Sequence, residues 1–386
     1  MTWKAVLLAE IADISLGKML DKAKNKGEPL PYLANINVRW GDFDLEDLRT
    51  MRFEAHELER YSLNAGDIVM CEGGEPGRCA LWRDHHHRMM LQKALHRIRP
   101  APQTADSTYL YYYFLNTGKQ NGFAPYFTGA TIKHLSREQL AKFPIRLPSL
   151  SQQRRIGAAL SSYDNLITTN QRRIALLEEA SRLIYREWFV HLRFPGHDSI
   201  EKKNGTPTGW TKKSLGDIAK LHYGKALKAS ERNPGKFPVY GSSGVVGYHN
   251  TPFVQAGAII VGRKGNIGSL FYSDNPCFPI DTVFFIPPEQ SSRWLFLALH
   301  SLNFISSDSA VPGLNRAYAE SLPIMEPDIQ TQERFKALTD PLFTKIEILQ
   351  QQNHRLAQAR DLLLPKLMSG QIDVSNIRLP DEDVVT

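Results

Sequence analysis

Two glycine-bearing turns carry the side chains best suited to chemistry in this chain of 386 residues. In the first half the turn reads Gly74-Glu75-Pro76-Gly77-Arg78. In the second it reads Gly265-Asn266-Ile267-Gly268, with Arg263-Lys264 just before it. Glycine lets a backbone approach a phosphate closely, and flanking Arg or Lys adds positive charge. Thr131, Lys133 and His134 precede Leu135, and Asn315-Arg316 follow Leu314, at corresponding places. Side chains of these types reach base edges or phosphates. Lys18 and Lys225, each following a glycine, complete the candidate set for binding DNA. Taken singly, each is an ordinary solvated loop residue. Their recurrence at corresponding places in both halves gives the set its weight.

Signatures of catalysis do not stand out. A P-loop requires G-x4-G-K-[ST], but Gly118-Lys119, Gly224-Lys225 and Gly235-Lys236 are followed by Gln, Ala and Phe. Asn275-Pro276-Cys277-Phe278 is one residue from the NPP(F/Y) turn of amino-methyltransferases, yet no Gly-rich cofactor loop adjoins it, so it reads as a turn. Pro327-Asp328 followed by Glu333 and Lys336 has the wrong spacing for a PD-ExK nuclease and opens a helix. Cys71 and Cys79 are too far apart for a usual zinc pair, and adjacent His85-His86-His87 point in different directions. The reading is a polar loop, no metal, and a binding protein rather than an enzyme.

An internal repeat must position the candidates. Trp3, Leu8, Ile11, Ala12, Gly17, Lys18 and Leu20 recur as Trp210, Leu215, Ile218, Ala219, Gly224, Lys225 and Leu227, a shift of 207 (210 − 3). Further on the shift is 179 (332 − 153). It relates Arg137/Arg316, Pro144/Pro323, Ile145/Ile324, Pro148/Pro327, Gln153/Gln332, Ile167/Ile346 and Leu177/Leu356. Between them, AGDIV at 65–69 loosely matches AGAII at 256–260. The copies thus share their ends and differ in loop length, where binding surfaces vary.

Residues 1–148 and 207–326 each combine short apolar runs bounded by turn residues with one helical stretch, at 108–116 and 293–300. Both read as mixed α/β heads. A different pattern follows each head. Ile156, Leu160, Tyr163, Ile167, Asn170, Ile174, Leu177, Ser181, Ile184 and Trp188 keep an unbroken 4-3 spacing, a heptad stripe. The second copy has Phe335, Thr339, Leu342, Ile346, Leu349, Asn353, Leu356, Arg360, Leu363 and Leu367 in the same phase. The apolar members are the candidate packing residues of two long helices, 149–191 and 327–370. Two such stripes in one chain can bury each other, and an antiparallel coiled-coil pairing, which lets the second helix return toward the first head, gives a dumbbell as the expected object; the alternative is that each helix packs on its own head. Pro341 and Pro365 should kink or disturb the second helix. Residues 192–206 read as a polar linker and 371–386 as a mobile tail.

Composition bounds the partners. Net charge is +7, a mild excess that permits nucleic acid without demanding it. Three cysteines fit a reducing compartment. No apolar run reaches the length of a membrane span or a signal sequence. A cytoplasmic location is expected.

The order of these features resembles the specificity (S) subunits of Type I restriction–modification systems. The resemblance rests on TIKHLSREQLAKFPIRLPSLSQQRRI and AVPGLNRAYAESLPIMEPDIQTQERF, which lead from heads into helices. FPVYGSSGVVGY, IIVGRKGNIG and the closing LLLPKLMSGQI add to it. It implies two target recognition domains, each reading half of a bipartite asymmetric DNA site, with the helices as a spacer. It implies docking of two modification (methyltransferase) subunits and two restriction (translocase/nuclease) subunits. S-adenosylmethionine, ATP and Mg2+ would sit on those partners, and this chain would bind no cofactor and catalyse nothing. The competing reading is a coiled-coil scaffold whose duplicated heads bind proteins.

Overall fold

The computed structural model describes residues 3–21, 25–84, 88–305, 313–375 and 377. The chain divides into two compact units, Met1–Thr168 with Asn353–Thr386, and Thr169–Gln352. In the first unit a four-stranded antiparallel sheet has the order Ala12–Leu16, Leu95–Pro100, Ile68–Cys71, Cys79–Leu81. In the second the order is His222–Tyr223, Val283–Ile286, Ala258–Gly262, Leu270–Ser273. A three-stranded sheet follows the same rule: Arg49–Phe53, Glu28–Leu33, Met90–Leu91 in one unit, and Gly244–His249, Phe237–Gly241, Phe278–Pro279 in the other. Each head is closed by a strand pair, Lys4–Leu7 with Pro144–Leu147 and Thr211–Ser214 with Pro323–Glu326. The sequence repeat is therefore a repeat of topology, strand for strand.

The central strands show why their sequences are apolar without alternation. In Ile68–Cys71, Ile68 and Met70 pack in one cluster with the helix Ser107–Lys119. Val69 and Cys71 face a second cluster with Leu33 and Trp82. Successive side chains point to opposite faces, and here both faces are covered. Ile259 and Val261 against Ala258 and Ile260 repeat this division in the second unit.

The matching ends of the two copies make the same bonds. Gln153 donates from Nε2 to the Pro148 carbonyl at 3.0 Å, and Gln332 to the Pro327 carbonyl at 2.9 Å. Both fix the entrance to a long helix. Asp328 caps the second helix by accepting from the Thr331 N–H, leaving fewer of its first N–H groups unpaired. Hydrogen bonding holds the Asp328 carboxyl below its ordinary range, even though burial pulls the other way.

The long helices are Leu150–Tyr185, which widens into a π-turn at Arg186–Val190, and Ile329–Met368. Every position of both heptad stripes is buried or half-buried. Ile156 and Leu160 share the first unit's core with Leu364, Leu367 and Met368, near the far end of the second helix. Ile174, Leu177 and Ile184 share the second unit's core with Phe335, Phe343 and Ile346, near its beginning. The helices therefore run antiparallel. Phe335 is fully buried, with its ring 4.9 Å from Phe189 and 5.7 Å from Trp188. Burial of a side chain this size contributes about 1.5–3 kcal/mol.

The expected disturbance of the second helix by its prolines needs correction. Pro341 and Pro365 lie inside one continuous helix. Pro341 and Ala337, whose carbonyl loses its helical donor, are both on the exposed face, so water can satisfy that carbonyl. The polar stripe positions are also accommodated. Ser181 and Thr339 are buried, but their hydroxyls donate to the carbonyls of Leu177 and Phe335 four residues back, both at 2.9 Å. Arg360 pairs with Asp164, which also accepts from the Tyr112 hydroxyl.

Residues 192–206, read as a polar linker, carry local structure. They hold a 3-10 turn at His197–Ser199, and Lys202–Lys203 pairs with Thr206–Pro207. The Phe194 ring stacks on Trp210 at 5.1 Å. In the segment after Gly370, Val374 is buried and Ile372 and Ile377 pack on the first unit's core. Among the described residues no helix is long and apolar enough to cross a membrane.

Candidate nucleic-acid interface

The glycine turns each connect an inner strand of a four-stranded sheet to its edge strand, Ile68–Cys71 to Cys79–Leu81 and Ala258–Gly262 to Leu270–Ser273, and they have one geometry. Gly74, Gly77, Gly265 and Gly268 have φ of 81°, 89°, 78° and 76°, a region open to glycine at little cost. In the first turn Gly77 N–H donates to Cys71 at 3.0 Å and Cys71 N–H to Arg78 at 2.8 Å. In the second, Gly268 N–H donates to Gly262 at 2.9 Å and Gly262 N–H to Ser269 at 2.7 Å. The loose AGDIV/AGAII match therefore extends through a turn with the same backbone bonds. Gly17 and Gly224 are also equivalent. A Cβ on Gly17 would lie 2.4 Å from the Leu91 carbonyl oxygen, and one on Gly224 would lie 2.0 Å from that of Ile280.

In the second unit the predicted residues converge. The Arg263 guanidinium lies 5.0 Å from the Tyr223 ring and 5.7 Å from that of Phe284, and the Arg316 guanidinium lies 5.4 Å from Tyr223. Arg263 also donates to the Asp281 carbonyl at 3.0 Å. Backbone bonds from Arg263 and Lys264 to Thr282, and from Lys225 to Pro279, hold the three cations on adjoining segments. Stacking on an aromatic face orients a guanidinium and leaves its donors in a fixed fork. Lys225 and Arg316 are exposed, Lys264 half-buried. Asn266 reaches the Ser243 hydroxyl at 3.3 Å. Asn315 accepts from the Tyr318 N–H at 3.1 Å, so its carbonyl caps a helix.

In the first unit the set divides. Thr131, Lys133 and His134 are exposed on a loop closed by paired bonds between Thr128 and His134, both 2.8 Å. Arg78 is turned inward, donating to the Asn35 carbonyl at 2.7 Å and to Glu75 at 2.9 Å. Lys18 is corrected outright. Its side chain is 4% exposed, ion-paired with Glu57, bonded to the Arg52 carbonyl at 2.9 Å and 5.1 Å from the Phe53 ring. It is an internal tie, and only its repeat partner Lys225 faces outward. The hydrogen bonds to Lys18 and the Glu54 N–H hold the Glu57 carboxyl below its ordinary range, although burial opposes this.

His96 supports the same loop from below. It is buried, and its Nε2 lies 2.7 Å from the Leu135 carbonyl, next to His134. Burial, partly opposed by that bond, lowers the His96 pKa from its ordinary value.

Sequence reasoning missed Tyr223, the ring that both guanidinium groups approach. Its signal was present: an aromatic stands just before Gly224 where the first copy has Leu16 before Gly17. Glu72 was also missed, because it faces Arg263 across the repeat as a substitution rather than a match. The triple-histidine run 85–87 lies outside the described residues. Among the described residues no group of three or more His, Cys, Asp or Glu is placed to hold a metal ion. Cys79 is fully buried, and burial pushes its thiol far above its ordinary value.

A duplicated head with a matching glycine turn, joined to an antiparallel helix pair, is the arrangement that comparison with known proteins identifies. The family model described as "Type I restriction modification DNA specificity domain" matches residues 1–179 and 207–358, one match per copy. The chain belongs to this family. Specificity subunits recognise DNA sequence within a Type I restriction–modification complex, and DNA and the other subunits of that complex are their partners. The Type I restriction enzyme MjaIX specificity subunit of Methanocaldococcus jannaschii is 24% identical over 317 residues, covering 70% of each chain. The MjaVIII specificity subunit of the same organism is 24% identical over 362 residues, covering 82% of this chain and 81% of the relative. The crystal structure of a Type I S subunit from M. genitalium has the same fold, with a TM-score of 0.56 at 20% identity over 95% of this chain and 96% of that one.

Proposed function

We propose that each head of this specificity subunit reads one half of a bipartite, asymmetric DNA site. The long helices set the number of unread base pairs between the halves and dock two modification and two restriction subunits. The chain itself holds no cofactor and performs no catalysis, while S-adenosylmethionine, ATP and Mg2+ belong to those partners. It works in the cytoplasm. The observation that carries this reading is the glycine turn: one backbone geometry in both heads, with different side chains around it. Identical frames with different chemistry suit two different half-sites better than one symmetric site.

Backbone glycines and the cations Lys133, Lys225, Lys264 and Arg316 would approach phosphates, and Arg263, Asn266, Thr131 and His134 the base edges. Linking two weak half-site contacts through one spacer strengthens binding by effective concentration. DNA binding by the complex should fall steeply with salt, with log K linear in log salt concentration. A titration of labelled duplex across a salt series tests this. A flat response would favour the protein-binding scaffold instead.

A further inference from the structure

The two heads place opposite charges at one structural position. We infer that this position selects base chemistry in each half-site: Glu72 accepts from a cytosine amino group in the first, and Arg263 donates to guanine in the second. The inference rests on the function proposed above and assigns part of it to named side chains.

The equivalence is set by backbone bonds. Leu135 N–H donates to the Glu72 carbonyl at 2.8 Å, and Leu314 N–H donates to the Arg263 carbonyl at 2.8 Å. Leu135 and Leu314 are partners in the repeat, and both bonded residues stand two positions before the first glycine of the turn. Glu72 and Arg263 are each half-buried at the edge of the same frame. An ionised carboxylate only accepts hydrogen bonds, and a guanidinium only donates them. A phosphate grip is excluded for this position in the first head, since an anion there repels the DNA backbone. What remains for Glu72 is an amino group on a base edge, and Glu pairs with the cytosine N4 amino group in the major groove. Arg pairs bidentately with guanine O6 and N7.

Both side chains keep hydrogen-bonding capacity for this, although the Glu72 carboxylate also lies close enough to the buried His96 ring to favour its protonated form. Among the described residues no hydrogen bond or ion pair engages the Glu72 carboxylate. Arg263 gives one N–H to the Asp281 carbonyl and lies over the Tyr223 ring, contacts that hold the guanidinium in place while leaving donors over. Neighbouring cations, Lys133 in the first head and Lys264 and Arg316 in the second, supply the phosphate attraction that an acid at position 72 cannot.

The test is selection from a randomised duplex pool by the complex of this chain with its modification subunits, followed by sequencing. Wild type should enrich two half-sites, with cytosine at one position of the first and guanine at one position of the second. Glu72→Gln should move the first position from cytosine toward adenine, since Gln reads adenine N6 and N7. Arg263→Lys keeps the charge but loses the fork, and should relax the guanine by about tenfold or more with the first half-site unchanged. Wild-type half-sites that persist unaltered in both variants would overturn the inference alone. A wild-type complex that enriches no sequence would overturn the proposed function, and this inference with it.

Discussion

At the scale of residues, His96 makes a pH prediction. Burial lowers its folded pKa below the ordinary 6.5, so the folded chain keeps the ring neutral where the unfolded chain takes up a proton. The unfolded state therefore binds more protons below about pH 6.5, and stability falls as pH drops through that range. Urea midpoints of the full chain should decrease from pH 7.5 to about pH 5.5. His96→Gln, which keeps a donor for the Leu135 carbonyl, should lose part of that decrease; an identical decrease in both proteins would contradict the assignment. A second prediction concerns close approach. Gly224→Ala sets a methyl 2.0 Å from the Ile280 carbonyl oxygen and should destabilise the chain by about 1–3 kcal/mol, read as a lower urea midpoint. Gly17 and Gly224 were legible because both copies keep them. Lys18 was misread for the same reason: a repeat match preserves the residue type, but in the first copy Glu57, in the short helical turn after Arg49–Phe53, pairs with Lys18, and among the described residues Lys225 has no such partner.

At the scale of elements, the first unit's helices are joined by a charged node. Arg360 donates to Asp164 and to Asp361, Tyr112 donates to Asp164, and Lys119 pairs with Asp361 at 2.7 Å. The Tyr112 hydroxyl is pushed far above its ordinary value, by burial first and then by Asp164. Arg360→Leu should cost about 1–3 kcal/mol, below the range for a fully buried pair because both partners are partly exposed. Asp164→Leu combined with Arg360→Leu should recover part of that loss. A double-mutant cycle from chemical denaturation measures it, and strict additivity would show that the pair is not coupled. The element pattern was legible to a high degree. Apolar runs bounded by turn residues pointed to the strands, one apolar stretch in each head to its helix, and the 4-3 spacing to both long helices. What periodicity could not show was compensation: a proline tolerated on an exposed helix face, hydroxyls bonded to their own helix, an arginine paired across it.

At the scale of the whole molecule, the duplication is the feature with most consequence. One polypeptide carries two heads of one topology with different chemistry at their glycine turns, and a charge of only +7. A modest charge is sufficient when other subunits share the grip on DNA. Inserting one heptad into only one long helix should shift its stripe past the partner and abolish methylation of the native site, and wild-type methylation by that insert would contradict the spacer role. The sequence read by each head depends on loop geometry and side-chain direction, which no spacing argument reaches. Mapping methylated bases across the genome of a host expressing this chain with its modification subunits therefore tests the central claim most directly. The account predicts a single asymmetric site made of two short defined halves around a fixed run of undefined bases. A symmetric or unsplit site would contradict it.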